Sequence, residues 1–182
     1  MPIDPQRAIR FDLTRGSVHA AGDERTVLLP ARVISDLIAA AGAEVGAVAA
    51  HQIGGSMGKR VSDQLGGSEG VRSSPLEAVV SGLAAELSVA GFGVFSLERW
   101  GRAVVLTVEH APAIEGGFIA AMLQGALETA SGQPVRCALI AADGVLRVLV
   151  ASQGTLERVR GWLAEGTGWA DALARLQDRG VG

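Results

Sequence analysis

The sequence has no Tyr and no Asn, one Lys (Lys59), one Cys (Cys137) and three His (His19, His51 and His110). A lone Cys closes no internal disulfide, so nothing points to an oxidising compartment. All but one of the 16 basic residues are Arg, no run of them occurs, and the formal net charge is −3. Phosphate binding needs clustered Lys/Arg, so nucleic acid is set aside as a partner. The opening MPIDPQRAIRFDLTRG holds no apolar core of a secretory signal. The most apolar long stretch, residues 30–50, is mostly Ala and Gly and is broken by Arg32, Asp36 and Glu44. That falls short of the ~20 strongly apolar residues of a membrane span. A soluble cytoplasmic chain is expected.

Reactive side chains are equally scarce. Composition therefore favours binding or scaffolding over catalysis, and neither an enzymatic activity nor a cofactor is expected. What the chain has in quantity is small and apolar: 25 Gly, 30 Ala and 48% hydrophobic residues in a length of 182 that suits one domain. A core over about 30–152 is expected, with an N-terminal arm (1–29) and a C-terminal helical extension (153–180).

Periodicity divides the chain. Val33, Ile34, Leu37, Ile38 and Ala41 form a helical stripe after Pro30, with Gly42 as a stop. Residues 43–65 set Ala50, Ile53, Met57, Val61 and Leu65 on one face. Gly46, Ala50, Gly54 and Gly58 recur every four residues there, a small-residue ridge on which another helix can pack closely, within or between subunits. GGSEGVRS (66–73) reads as a loop, and Ser74-Pro75-Leu76-Glu77 as a capping box opening a helix with Val79, Val80, Leu83 and Leu87 on its stripe. Residues 92–99 and 103–109 form a hairpin around Trp100-Gly101, residues 113–130 a helix, and residues 135–141 and 145–151 a second hairpin through Asp143-Gly144. Two short helices follow, 155–164 and 167–178. Hairpin-joined strands imply an α+β fold, helices packed on an antiparallel sheet built from two hairpins with extra C-terminal helices.

Several motifs suggest chemistry without its context. Gly54-Gly55-Ser56-Met57-Gly58 matches the G-x-S-x-G elbow of esterases, but the preceding segment has helical rather than strand periodicity. Gly58-Lys59-Arg60 lacks the Gly five residues earlier and the following Ser/Thr of a phosphate loop. His51-Gln52 makes no zinc-binding H-E-x-x-H, and no metal site is expected at His110 beside Glu109. Cys137 alternates with Val135 and Leu139 on a strand face and reads as a small buried hydrophobe. Trp162 and Trp169 suit core closure; with Trp100 they are also candidates for contact with a partner or a glucan ring.

Four patches taken in order, IGGSMGKRV (53–61), LAAELSVAGFGVFSLE (83–98), VLTVEHAP (105–112) and FIAAMLQGAL (118–127), resemble the small accessory protein of bacterial cellulose synthase complexes, their D component. The matched features are Gly54 with Met57, Gly58 and Arg60; Gly91-Phe92-Gly93 leading into a strand that ends at Leu97-Glu98; His110 and Pro112; and Gly125. The resemblance implies a non-catalytic homo-oligomeric accessory subunit that organises cellulose synthase subunits and emerging glucan chains. The same patches are similar to the 4-vinyl-reductase-like hydrocarbon-binding domains, relatives of TRAPP vesicle-tethering subunits. Their zinc-binding members carry several Cys where this chain has only Cys137. This second resemblance implies a dimeric sensor that holds a hydrophobic small molecule in an apolar pocket between helices and sheet, with Met57, Phe92, Phe95 and Phe118 as lining candidates.

Overall fold

The computed structural model of the chain describes residues 8–20, 25–101 and 103–178. Residues 1–7 and 21–24 of the expected arm, and 179–180 of the expected extension, lie outside them.

The fold is α+β. Within the arm, β1 (Ile9–Asp12), β2 (Ser17–Ala20) and β3 (Arg25–Thr26) form a small antiparallel sheet. Helices α1 (Ala31–Ala41) and α2 (Ala43–Gln64) meet at Gly42. They are followed by α3 (Gly67–Ser73) and α4 (Leu76–Val89). The hairpin β4 (Val94–Trp100) and β5 (Ala103–Glu109) leads to α5 (Gly116–Ser131), and the hairpin β6 (Cys137–Ala142) and β7 (Leu146–Val150) to α6 (Gln153–Ala164) and α7 (Trp169–Asp178). The hairpins join into one antiparallel sheet of order β4-β5-β7-β6, with β5 and β7 central. Val94 faces Glu109 at one end of the β4/β5 ladder and Trp100 faces Ala103 at the other. A register shift between Leu139 and Ala141 interrupts the β6/β7 ladder at Ile140.

Strand alternation sends the two faces of this larger sheet into separate cores. Phe95, Leu106, Val108, Cys137 and Val148 join the large core beneath α2, α4 and α5, whereas Val105, Ala138, Ile140 and Leu149 pack beneath α6 and α7. The C-terminal helices thus cover the sheet's second face rather than extend away from it. Leu156, Val159, Ala172 and Leu173 are the side chains that make this cover.

The small-residue ridge acts inside one chain. A methyl at Gly54 would overlap the carbonyl of Met122, one at Gly58 that of Ala126, and one at Gly125 that of His51. α2 and α5 therefore cross with backbones in contact, and α2 runs unbroken through its glycines because their missing side chains make that contact. Gly46 sits against Ile38 of α1 instead. All four ridge residues are buried without a second copy of the chain, so the ridge gives no reason for association between chains.

Four local expectations need correction. The 66–73 segment is not a loop: 67–73 is helical, with buried Val71 anchoring it to the large core, and a helix that short has no periodicity to read. The capping box does not form. Pro75 is the N-cap of α4 without a side-chain hydrogen bond, Ser74 Oγ donates to the Gly70 carbonyl at 2.8 Å, and Glu77 pairs with Arg99 at 3.0 Å. Ile53, expected on the core face of α2, is 38% exposed, since Gly54 faces α5 in its place. The arm, whose first 25 or so residues show no clear period in sequence, carries β1, β2 and β3, two- to four-residue strands too short to show alternation.

Candidate functional site

α4 packs on edge strand β4 and α5 on edge strand β6, so the central strands lie beneath the space between the two helices. That space holds a cavity of about 320 Å³. Its floor is Leu97, Val104, Leu106 and Val150 from the sheet; its walls are Leu76, Val79 and Val80 of α4 and Leu127 and Ser131 of α5. Val71, Arg72, Ser74 and Val135 complete it where α3 approaches α5. Three of the thirteen lining residues are polar, the composition of a small-molecule pocket with a few groups to fix orientation. An apolar cavity of only ~150 Å³ accommodates benzene.

The polar groups are partly committed. Ser131 Oγ donates to the Leu127 carbonyl at 2.7 Å and accepts from the Gln133 amide at 3.2 Å. Ser74 Oγ spends its proton on Gly70 and keeps lone pairs free to accept from a ligand. Among the described residues, Arg72, exposed on α3, is the one charged lining residue.

Met57, Phe92, Phe95 and Phe118 are all buried in the large core, and none is among the residues lining this cavity. Large side chains fill space; the cavity opens where Val and Ser converge from α3, α4, β5, α5 and β7. The signal available in sequence was the inward parity of Val104, Leu106 and Val150 opposite the Val79-Val80 stripe.

The other candidates fall elsewhere. Ser56 is mid-helix with its Oγ donating to the Gln52 carbonyl at 3.3 Å, so no nucleophile elbow exists. His51 Nε2 lies 2.6 Å from Glu128 Oε2, bridging α2 and α5 beside a groove of about 440 Å³ formed with Val48 and Gln124. Burial raises the Glu128 carboxyl, but the His51 hydrogen bond, the Val135 amide and the charges of His51 and Arg136 outweigh it and hold the group below the usual carboxylate value. Burial pushes the Cys137 thiol up to about 12, with the Glu128 charge acting in the same direction. Among the described residues no three His, Cys, Asp or Glu side chains come together to hold a metal ion. His110 adopts a left-handed φ of 54° directly after β5.

Trp100, Trp162 and Trp169 gather on the second sheet face, half-buried against the smaller core. The Trp100 and Trp169 rings meet edge to face at 5.1 Å, and the Arg147 guanidinium stacks 4.5 Å from the Trp169 ring centre. Among the described residues, no helix is long and apolar enough to cross a membrane.

No family model matches the chain, and no curated protein does. Among solved structures, it is similar to the phenol-responsive sensory domain of the transcription activator PoxR with phenol, at a TM-score of 0.56 and 15% identity over 80% of this chain and 85% of that one. At that identity the likeness is one of fold.

Proposed function

We propose that the chain is a sensory domain that binds a small, mainly apolar molecule in the cavity between α4, α5 and the sheet. The observation that carries this reading is the cavity itself: about 320 Å³, walled by aliphatic side chains, with Ser74 and Arg72 offering an acceptor and a donor. The similar fold of the phenol-responsive sensory domain of PoxR supports the same class of ligand, an aromatic body with one hydroxyl. A scaffold role in a cellulose synthase complex is the less supported reading. The glycine ridge, a candidate for packing within or between subunits, packs within the chain and lends that role no support.

The test is a methyl NMR titration with phenol and with toluene. Saturable shifts at Val79, Val80 and Leu127, abolished in Val135→Phe, support the reading. Shifts that do not saturate, or that survive the substitution, overturn it.

A further inference from the structure

A second cavity, about 470 Å³, lies on the opposite side of the same sheet, at the end where β4 turns into β5. We propose that it is a separate site for a small carboxylate with a flat apolar body, such as an aromatic acid. This inference goes beyond the sensory reading and does not depend on it.

Two kinds of wall meet there. Trp100, Leu149 and Leu176 give an indole and two aliphatic surfaces, while Arg158, Thr155 and Gln177 give polar groups. The Trp100 indole is held in place: its Nε1 donates to Glu98 Oε2 at 2.9 Å, and its ring meets that of Trp169. A fixed indole lets a planar ligand stack with little ordering cost. Glu98 accepts that hydrogen bond and does not itself line the cavity.

Among the described residues, Arg158 is the charged residue of the lining. Its guanidinium donates to Thr155 Oγ1 at 3.3 Å, and among the described residues it has no carboxylate partner. A planar guanidinium with free donors beside an apolar slot is suited to carboxylate recognition through paired hydrogen bonds. Thr155 stands in the first turn of α6, so the helix dipole favours the same negative charge. The sign and shape of the walls thus agree on one ligand class.

All three Trp lie on this face and the sequence has no Tyr, so intrinsic fluorescence reports on this cavity and not on the first. The full chain titrated with benzoate should show one saturable fluorescence change, confirmed by calorimetry. Arg158→Gln should weaken binding about tenfold or more, and benzamide, which lacks the charge, should bind about tenfold less tightly than benzoate. Trp100→Phe, which keeps a flat ring, should stay within about threefold, whereas Trp100→Ala should weaken binding strongly. Val135→Phe, which occludes the first cavity, should leave benzoate affinity unchanged. Absence of saturation, equal affinity for benzoate and benzamide, indifference to Arg158→Gln, or loss of benzoate binding in Val135→Phe would each overturn the proposal.

Discussion

Gly54 faces the Met122 carbonyl so closely that a single added methyl would overlap its oxygen. The obstacle is backbone, which cannot rotate away, so Gly54→Ala must push α2 and α5 apart along their whole contact. A loss of about 3 kcal/mol or more is expected, at the upper end of overpacking costs. Gly161 is the matched control. It lies inside α6 with nothing within 4 Å of an added methyl, so Gly161→Ala should stabilise by up to about 1 kcal/mol. Urea unfolding of both variants measures the contrast; a mild effect at Gly54 would mean that the helices do not cross this closely.

The pair Arg60 and Glu86 links α2 to α4 at 2.8 Å, with side chains only 18% and 5% exposed. Among the described residues Glu86 Oε1, which is buried, has no hydrogen-bond partner, so this carboxylate depends on the arginine contact through its other oxygen. Arg60→Met should cost about 3–5 kcal/mol by leaving a buried charge uncompensated, while Arg60→Met with Glu86→Leu should recover most of the loss. A double-variant cycle in urea, with Glu86→Leu alone as the fourth corner, decides it: losses that simply add in the double variant would show that the pair's charges do not interact.

The longer elements of 30–152 were legible because their periods are long: β4 and β5 run seven residues each and α2 runs 22. Asp143-Gly144 marked the second hairpin correctly, Gly144 taking a φ of 87° that other residues rarely adopt. α3 was hidden by its own composition. Gly66 and Gly67 both have left-handed φ at its start, and its helical state is fixed by Val71 entering the core, a tertiary effect that local propensity does not carry.

The site was legible in kind but not in residues. A space between helices and sheet follows from the α+β pattern; its position depends on how far α4 and α5 stand apart over β5 and β7, which no single segment encodes. Selecting Met57, Phe92, Phe95 and Phe118 by size favoured residues that fill the core. Smaller Val residues left room beside it. Gly54 and Gly58 were identified as a packing ridge, but only the geometry shows their partner to be α5 of the same chain.

The bridge between His51 and Glu128 should make stability depend on acid pH. Glu128 titrates below its usual 4.5 in the folded chain, so in that window the unfolded chain binds more protons, and stability falls as pH drops below 4.5 through the folded value. Glu128→Gln removes the ionised form and should cost about 1 kcal/mol near neutrality. The gap to wild type should narrow as pH falls below 4.5 and the native carboxyl takes up its proton. Thermal unfolding at several pH values checks this; a gap that stays constant with pH would rule out the charge as its source.

Cys137 supplies the opposite limb. Its thiol is pushed from 9.0 to about 12 by burial, so between those values the folded chain keeps a proton that the unfolded chain has released. Stability should therefore fall as pH rises through that window, by a few kcal/mol at most, and show no dependence from this group below 9.0. The composition makes the measurement clean, because the chain has no Tyr and one Lys. In a Lys59→Arg background that position keeps its proton throughout, and Cys137→Ala should then flatten the alkaline limb. Thiol labelling gives a second reading: slow in the native chain at pH 8 and fast once it is unfolded, since the thiolate is the reacting form and burial withholds it. An alkaline limb unchanged by Cys137→Ala, or rapid native labelling, would show that this side chain is not held within the large core as its contacts place it.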